Sequence, residues 1–373
     1  MDITPFFKLM VDKEASDLFF SVGAPPNIKI QGVTSPIGQA AIKSQQMAEI
    51  VLSITNDEQQ KEFEANMELN MALSIKGVGR FRINIFRQRG EVAMVVRYIK
   101  GIIPSIEELR LPLILKTIVQ EIRGLVLVVG STGSGKSTTL AAMIDHRNQT
   151  TRGHILTIED PIEYLHEHKK SIVDQREIGI DTLSYDNALK NAMREAPDVI
   201  LIGEIRERNS MKHAIAYAET GHLCISTLHA NNANQTLDRI INFFPEDAKQ
   251  QILMDLSLNL RAIISLRLIP GIANQRIAAV EILINTPYIS DLIEKGKVEE
   301  IKEVMARSTE QGMQTFDQAL LNLYKEGKIT KESAIKYADS KNNVGLQIRL
   351  NEEKSFDSKD DNLTIQPDDL DKF

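Results

Sequence analysis

One short segment restricts the fold of this chain more than any other. Residues 130–138 read Gly-Ser-Thr-Gly-Ser-Gly-Lys-Ser-Thr, directly after the apolar run 125–129 and before the helical pattern of residues 139–144. The glycines let the backbone wrap around phosphate groups, while backbone N–H groups and a helix N-terminus supply positive potential. The segment therefore predicts a strand–loop–helix unit that cradles the phosphates of a nucleotide.

Every residue of this loop has a predicted part in binding ATP and Mg²⁺. Lys136 can reach the β- and γ-phosphates, and the Ser137 hydroxyl can bind Mg²⁺. A simple Gly/Ser turn is the alternative, but it does not require the strand, the spacing and the Lys-Ser pair together. The predicted nucleotide-binding residues are Gly130, Ser131, Thr132, Gly133, Ser134, Gly135, Lys136, Ser137 and Thr138.

Hydrolysis requires carboxylates as well as a phosphate cradle. Residues 198–204 form an apolar run ending in Gly-Glu, which places Glu204 at the carboxyl edge of a sheet, where α/β sites lie. A second apolar run is followed by Glu159, Asp160 and Glu163. Clustered acids repel one another unless a cation is near, so we predict that they face Mg²⁺ and nucleotide. A surface acid and a solvated loop are the alternatives.

Histidines flank another apolar strand. His222 and His229 lie on either side of residues 223–228, where they could contact phosphate or relay its loss to a domain interface. A structural role is the alternative. His166 and His168 lie two residues apart beside lysines, a poor spacing for shared ligation on a helix, and we predict that both are exposed.

Arginines are concentrated near one alternating segment, residues 79–86. Arg80 and Arg82 point to the same face of that strand, where paired guanidinium groups could bind γ-phosphate oxygens. A solvated strand face is the alternative. Because the P-loop lies elsewhere in the chain, such a role implies catalysis across a domain or subunit boundary.

The pattern of apolar residues divides the chain into parts. Residues 1–100 combine short amphipathic helices with alternating strands and predict a small α+β domain, and residues 101–112 contain a glycine and two prolines and predict a linker. Residues 113–286 alternate apolar strands with helices, which predicts an α/β domain with a mostly parallel sheet. Residues 287–339 are helical in pattern. Residues 340–373 carry many charges and few aromatic residues, which predicts a disordered acidic tail.

The composition limits the kinds of partner and cellular location that we expect. The chain has 373 residues, with 44 Lys and Arg against 51 Asp and Glu and a net charge of -7, so we expect no nucleic-acid partner. The single cysteine, Cys224, fits a reducing cytosol. The N-terminal residues lack the pattern of a signal peptide, and no apolar run reaches the roughly 18 residues that span a bilayer. Any contact with a membrane is therefore expected to be peripheral.

Taken together, these motifs resemble the secretion ATPase superfamily, which powers type II secretion and type IV pili. Their order is a Walker A P-loop, an acidic box at residues 155–163, a Walker B motif ending at Glu204 and a histidine box. The short N-terminal region, the segment Arg-Phe-Arg-Ile-Asn at 80–84 and the block 228–245 are similar to the pilus retraction branch, PilT and PilU. The resemblance covers about residues 1–340.

This resemblance implies roles for individual residues. It implies that Glu163 is the general base that orients the attacking water, and that Glu204 acts through the Mg²⁺ shell. The implied catalytic residues are Glu163, Glu204, His229, Arg80, Arg82 and Arg97. His222 is the implied further nucleotide contact, and Ser137 and Glu204 are the implied Mg²⁺ ligands, partly through water.

The resemblance also implies an architecture and a setting. The fold would be a PAS-like α+β N-terminal domain followed by a RecA-like P-loop NTPase domain with a C-terminal helical region. Six copies would form a ring that hydrolyses ATP in the cytoplasm, peripheral to the inner membrane at the pilus base. The implied partners are the main type IV pilus retraction ATPase and the inner-membrane platform protein, and the implied process is pilus retraction in twitching motility.

One segment departs from the retraction motor. That motor carries Ala-Ile-Arg-Asn-Leu-Ile-Arg-Glu where residues 288–295 here read Tyr-Ile-Ser-Asp-Leu-Ile-Glu-Lys. The absence of both arginines favours a PilU-like accessory member that depends on a partner motor. The alternatives are a nucleotide-gated docking subunit with incidental hydrolysis, an assembly or secretion ATPase, and a nucleic-acid translocase. One cysteine excludes the tetracysteine zinc motif that assembly and secretion ATPases commonly carry.

Overall fold

A computed structural model describes residues 3–30, 32–272 and 275–360, with side chains through residue 352. The described residues form two β-sheets, each with its own buried core. The first sheet is antiparallel and belongs to the first hundred residues, and the second is mainly parallel and carries the P-loop. The α/β fold with a preceding α+β domain is therefore as the sequence predicts.

The N-terminal domain packs three helices on an antiparallel sheet. Its elements are α1 (Thr4–Asp12), β1 (Asp17–Ser21), β2 (Asn27–Ile30), β3 (Val33–Pro36), α2 (Ser44–Ile54), α3 (Asp57–Asn66), β4 (Glu68–Ile75), β5 (Gly79–Gln88) and β6 (Glu91–Ile99). The strand order is β3-β2-β1-β6-β5-β4. On β5, Phe81, Ile83 and Ile85 enter the core, so Arg80 and Arg82 belong to the other face.

The second domain is built on a seven-stranded sheet. Its strands are β7 (Gly124–Gly130), β8 (Gly153–Glu159), β9 (Ser171–Glu177), β10 (Val199–Ile202), β11 (Leu223–Leu228), β12 (Leu260–Pro270) and β13 (Arg276–Ile284). Its helices are α4 (Ile114–Ile118), α5 (Lys136–Thr150), α6 (Tyr185–Ala192), α7 (Arg208–Glu219), α8 (Ala233–Asn242) and α9 (Lys249–Asn259). The order is β13-β12-β7-β11-β10-β8-β9, in which only the edge strand β13 runs antiparallel to its neighbour.

The central strand β7 shows why this sheet reads as continuous apolar runs. Leu125, Leu127 and Val129 pack into one core, whereas Val126 and Val128 pack into a second core. Successive side chains of a strand point to opposite faces, so a sheet covered on both faces needs apolar residues at every position. The strand therefore carries no alternation of apolar and polar residues.

The predicted linker contributes to the second domain. Ile106 and Leu111 are buried in the core that contains Val126. The end of the N-terminal domain also contacts the segment just after the acidic box, where the Leu165 amide donates to the Lys100 carbonyl at 3.1 Å. Backbone contacts thus join the two domains beside the residues that follow Glu163.

Threonines begin three of the C-terminal helices. These helices are α10 (Pro287–Glu294), α11 (Ile301–Arg307), α12 (Phe316–Lys325) and α13 (Lys331–Tyr337). Thr286, Thr315 and Thr330 each accept a hydrogen bond from a backbone amide in the first turn of α10, α12 and α13. In the part of the chain that the structure describes, no helix has both the length and the apolar character needed to cross a bilayer.

The prediction of a disordered tail is wrong for its first part. Residues Lys341–Asp360 form helix α14, and residues 361–373 lie outside the described residues. Val344 and Ile348, four residues apart, are fully buried in a cluster with α12 and α13. A few apolar residues scattered through a charged segment give a weak sequence signal, and it is the surface of the preceding helices that makes the burial of Val344 and Ile348 favourable.

Replacing Ile348 tests this docking of α14. We expect Ile348→Ala to lower the free energy of unfolding by about 2–4 kcal/mol, because a buried isoleucine loses its contacts and leaves a cavity. Urea unfolding followed by circular dichroism measures the change. Leu346→Ala, on the same helix but 56% exposed, is the matched control and should change the value little. Equal effects of the two substitutions would contradict the packing described here.

Candidate nucleotide site

The carboxyl ends of four parallel strands meet at one cavity. Strands β7, β11, β10 and β8 are neighbours, and they lead into the P-loop, His229, Glu204 and Glu159 respectively. The cavity has a volume of about 210 Å³ and is lined by Thr132, Gly133, Lys136, Ser137, Leu140, Ala141, Glu159, Asp160, Pro161, Glu163, Tyr164, His166, Tyr185, Leu201, Gly203, Glu204, Thr227 and His229.

The P-loop has the backbone of a phosphate cradle. Gly133 and Gly135 have φ angles of +75° and +95°, which strain residues with a side chain. At Gly130 an added Cβ would lie 2.4 Å from Ser134 Oγ, so a larger residue does not fit. Ser134 Oγ is buried without a hydrogen-bond partner among the described residues. The loop thus fits a ligand that accepts hydrogen bonds.

Lys136 is held at the mouth of this cradle. Its Nζ donates to the carbonyls of Gly130 and Ser131 at 2.9 and 3.0 Å. Burial lowers the pKa of Lys136, and the negative charges of Glu204 and Glu163 oppose that shift. Its cation is therefore partly removed from water, which strengthens its attraction for an anionic ligand at this point. Thr138 is also predicted to bind the nucleotide. Its hydroxyl lies 2.9 Å from the Tyr164 hydroxyl, within hydrogen-bond distance.

Glu204 forms a pair with the second histidine of the histidine box. Its Oε1 lies 3.1 Å from His229 Nε2, and its Oε2 accepts a hydrogen bond from Arg206 Nε at 2.7 Å. The Glu204 side chain is only 18% exposed. The pairing fixes the carboxylate at the cavity, on the same wall as Thr227. Glu204 and the Ser137 hydroxyl line the same cavity, and both carry oxygen atoms of the kind that Mg²⁺ prefers as ligands.

The acidic box divides into a half-buried and an exposed carboxyl group. Glu159 accepts hydrogen bonds from Thr157 Oγ1 at 2.7 Å and Gln175 Nε2 at 3.3 Å. Burial raises the pKa of Glu159 to about 7, against the lowering effect of these hydrogen bonds. Glu163 lines the same cavity but is exposed. The two carboxyl groups therefore differ in environment, and Glu163 is the one that water reaches freely.

Glu159→Gln should change how stability depends on pH. A carboxyl group whose pKa is raised by folding contributes stability below its unfolded pKa of 4.5, and this contribution is lost as pH rises towards about 7. The amide does not titrate, so relative to the wild type the variant should be more stable at pH 8 than at pH 5, by on the order of 2–3 kcal/mol. Urea unfolding at the two pH values measures this. Glu167→Gln, at an exposed position, should show no such change, and an equal profile for Glu159→Gln would contradict the burial.

Three aromatic or imidazole side chains enter the cavity without having been predicted there. Tyr164, Tyr185 and His166 all line it. The prediction that His166 is exposed is wrong, because burial lowers its pKa to about 4 and its Nδ1 is inaccessible to solvent. His168 is exposed, as predicted, and its Nδ1 accepts a hydrogen bond from the Val173 amide at 3.0 Å. The one sequence feature that could have indicated His166 as a cavity residue is that it follows Glu163 by three residues.

His222 does not reach this cavity. It precedes β11, whereas His229 follows it, and a strand of six residues separates its ends by about 20 Å. His222 Nδ1 lies 3.1 Å from Thr220 Oγ1 and 3.2 Å from the Tyr217 carbonyl oxygen. The structure thus separates the two histidines to opposite edges of the sheet.

The structure brings the three predicted arginines together on the N-terminal sheet. Arg82 and Arg97 are directly opposite one another on β5 and β6, and Arg80 lies two residues before Arg82 on the same face. Arg97 Nε donates to Asp17 Oδ1 at 2.9 Å. Burial raises the pKa of Glu177, and the charges of Arg82 and Arg80 oppose the shift. The arginine pair therefore lies close to the end of β9, in the second domain.

These features define a class of protein. A parallel sheet whose central strand leads into a P-loop, with carboxylates from neighbouring strands in the same cavity, is a RecA-like P-loop domain. In the described parts of the chain, no three His, Cys, Asp or Glu side chains form a metal-binding cluster. A Mg²⁺ ion held by Ser137, Glu204, water and phosphate oxygens needs no such cluster.

Comparison with known proteins gives the family. The model of the family described as type II/IV secretion system protein matches residues 5–360, and the chain belongs to this family. It is 53% identical over 358 residues to the type IV pilus ATPase PilU of Pseudomonas aeruginosa, covering 96% of this chain and 94% of that protein. It is 43% identical over 334 residues to the type IV pilus retraction ATPase PilT of the same organism, covering 90% and 97%.

A solved structure agrees with this assignment. The crystal structure of the pilus retraction motor PilT with bound ADP matches with a TM-score of 0.85 at 40% identity, covering 91% of this chain and 98% of that one. The predicted resemblance to the retraction branch and the predicted two-part fold are therefore confirmed. Of the two relatives from Pseudomonas aeruginosa, PilU is the more similar, in agreement with the departure at residues 288–295.

Proposed function

We propose that this protein hydrolyses ATP with Mg²⁺ and that the reaction supports type IV pilus retraction. The observation that carries the proposal is the meeting of Lys136, Ser137, Glu163, Glu204 and His229 around one cavity. These side chains come from four separate strand ends, and phosphoryl transfer needs this combination of a cation, a metal site and a water-orienting carboxylate. The relatives named as pilus ATPases support the same assignment.

Each residue has a distinct part in the proposed reaction. Lys136 and the amides of the P-loop bind the β- and γ-phosphates, while Ser137 and Glu204 would hold Mg²⁺, which would neutralise phosphate charge. Glu163 orients the water and accepts its proton as the water oxygen bonds to the γ-phosphorus and the β–γ bridging bond breaks. His229, paired with Glu204, holds that carboxylate in position at the cavity.

The N-terminal arginines complete the proposed site from another domain. Arg80 and Arg82 belong to the same face of β5, and the charges of both act on Glu177, which belongs to the nucleotide-binding domain. A change in the angle between the domains would move the guanidinium groups of Arg80 and Arg82 away from Glu177 and towards the γ-phosphate oxygens. Arg97, tied to Asp17, fixes the neighbouring strand. His222, at the far edge of the sheet, acts in this proposal on the nucleotide of an adjacent subunit.

The proposed oligomer follows from the proposal that residues of another domain and of an adjacent subunit complete the nucleotide site. We infer a ring of six subunits, peripheral to the inner membrane at the base of the pilus, which acts on the platform protein together with the main retraction ATPase. Residues 288–295 support the accessory role: they lack both arginines of the autonomous motor, and Ser290 Oγ instead donates to the Ser257 carbonyl at 2.7 Å. The similarity to PilU supports the same role.

ATP hydrolysis by the purified full-length protein tests the proposal. We expect Mg²⁺-dependent release of phosphate by the protein alone, a hexamer by native mass spectrometry, and a changed rate when the cognate main retraction ATPase is added. Absence of hydrolysis both alone and in the mixture, with nucleotide-dependent binding to that ATPase retained, would instead establish the docking-subunit alternative. Stimulation by DNA or RNA would establish the translocase.

A further inference from the structure

His166 lies in the nucleotide cavity but has no part in the site as described so far. It follows Glu163 by three residues on the same loop and lines the same cavity. Its Nδ1 is buried, and neither ring nitrogen has a hydrogen-bond partner within the described residues. Buried polar groups in folded proteins are nearly always hydrogen-bonded to protein, water or ligand. Nε2, the ring nitrogen that is not buried, is therefore the one that a molecule entering the cavity can reach.

The backbone around His166 is fixed from two sides. The His166 amide donates to Gln175 Oε1 at 2.8 Å, and Gln175 Nε2 donates to the Tyr164 carbonyl at 2.9 Å. The Tyr164 hydroxyl lies 2.9 Å from Thr138 Oγ1, on the helix that follows the P-loop. These contacts tie the loop to β9 and to α5. The backbone that carries the ring is consequently held in place relative to the phosphate-binding residues.

The ring is uncharged at neutral pH. Burial lowers the pKa of His166 to about 4, with Asp145 acting to raise it and Lys169 to lower it. Asp145 and Lys169 form an ion pair with a distance of 2.6 Å between Oδ1 and Nζ, so their effects on the ring oppose one another. A neutral imidazole has one nitrogen that accepts a hydrogen bond, whereas an imidazolium has none. His166 therefore offers an acceptor to the cavity.

We propose that His166 is a further catalytic residue, which accepts one hydrogen of the attacking water while Glu163 accepts the other. This inference rests on the proposed hydrolysis. A water held by one acceptor can still rotate about that hydrogen bond, whereas two acceptors direct its lone pair towards phosphorus. The proton released as the water oxygen bonds to phosphorus passes to Glu163, and His166 stays neutral throughout.

Two substitutions at this position and one control test the proposal. In the full-length protein with ATP and Mg²⁺, His166→Leu should lower kcat about 10- to 100-fold, with KM and ADP affinity within about twofold of the wild type. His166→Asn, whose side-chain oxygen can accept the same hydrogen, should recover most of that loss. His168→Leu, at the exposed position two residues on, should leave kcat unchanged. A second readout is the affinity for Mg·ADP·aluminium fluoride, which mimics the transition state and should fall with kcat in His166→Leu alone.

The outcomes separate this inference from the proposed function. Hydrolysis by His166→Leu within twofold of the wild type would overturn the inference alone. Equal losses in His166→Leu and His166→Asn, together with a lower Tm and weaker ADP binding, would show a structural role and also overturn it. A wild type that does not hydrolyse ATP would overturn the proposed function, and this inference with it.

Discussion

Lys136→Ala should lower the affinity for ATP about 100-fold and reduce hydrolysis to background. The Nζ now bonded to the Gly130 and Ser131 carbonyls is the positive side chain of the P-loop. Removal of two charge-assisted hydrogen bonds to phosphate, at about 1.5 kcal/mol each, corresponds to that factor. Isothermal titration with ATP and a phosphate-release assay measure the two effects.

A surface lysine provides the control for this experiment. Lys190 pairs with Asp186 on α6 and its side chain is 61% exposed. Exposed pairs of this kind contribute less than about 1 kcal/mol, so Lys190→Ala should bind and hydrolyse ATP as the wild type does. Retained ATP affinity in Lys136→Ala would place the phosphates outside the P-loop and contradict the proposed site.

Glu163→Gln should separate binding from hydrolysis. The amide has nearly the same shape but cannot accept the proton of the attacking water, so kcat should fall about 1,000-fold while ATP affinity changes little. Single-turnover kinetics with ATP measure the chemical step, and titration with ADP measures binding. Because Glu163 is exposed, the substitution should leave the Tm close to that of the wild type.

The same substitution four residues further on is the matched control. Glu167 is exposed on the same loop and does not line the cavity, so Glu167→Gln should keep the wild-type kcat. If Glu163→Gln hydrolyses ATP within threefold of the wild type, the general base is another carboxylate of the cavity. Glu204→Gln would then identify it, since Glu204 lines the same cavity next to His229.

The acidic tail and His166 show where the sequence was insufficient. Their placement depends on partners distant in the chain: Val344 and Ile348 are buried against α12 and α13, and the loop of His166 is held by Gln175 on β9. The residue pattern within each of these two segments does not indicate which distant residues it will contact. A charged stretch and a histidine beside lysines therefore indicated solvent exposure, although tertiary contacts bury part of each.

The sequence by itself determined the P-loop and the strand ends that accompany it. This was possible because glycine spacing and apolar runs are local, and because parallel strands bring all their carboxyl ends to one edge. Only the tertiary structure decided which neighbouring groups meet: the pairing of Glu204 with His229, the separation of His222 from the cavity, and the placing of Arg80 and Arg82 near Glu177. The distance between two side chains from separate elements depends on how the sheets and helices pack, which no single segment encodes.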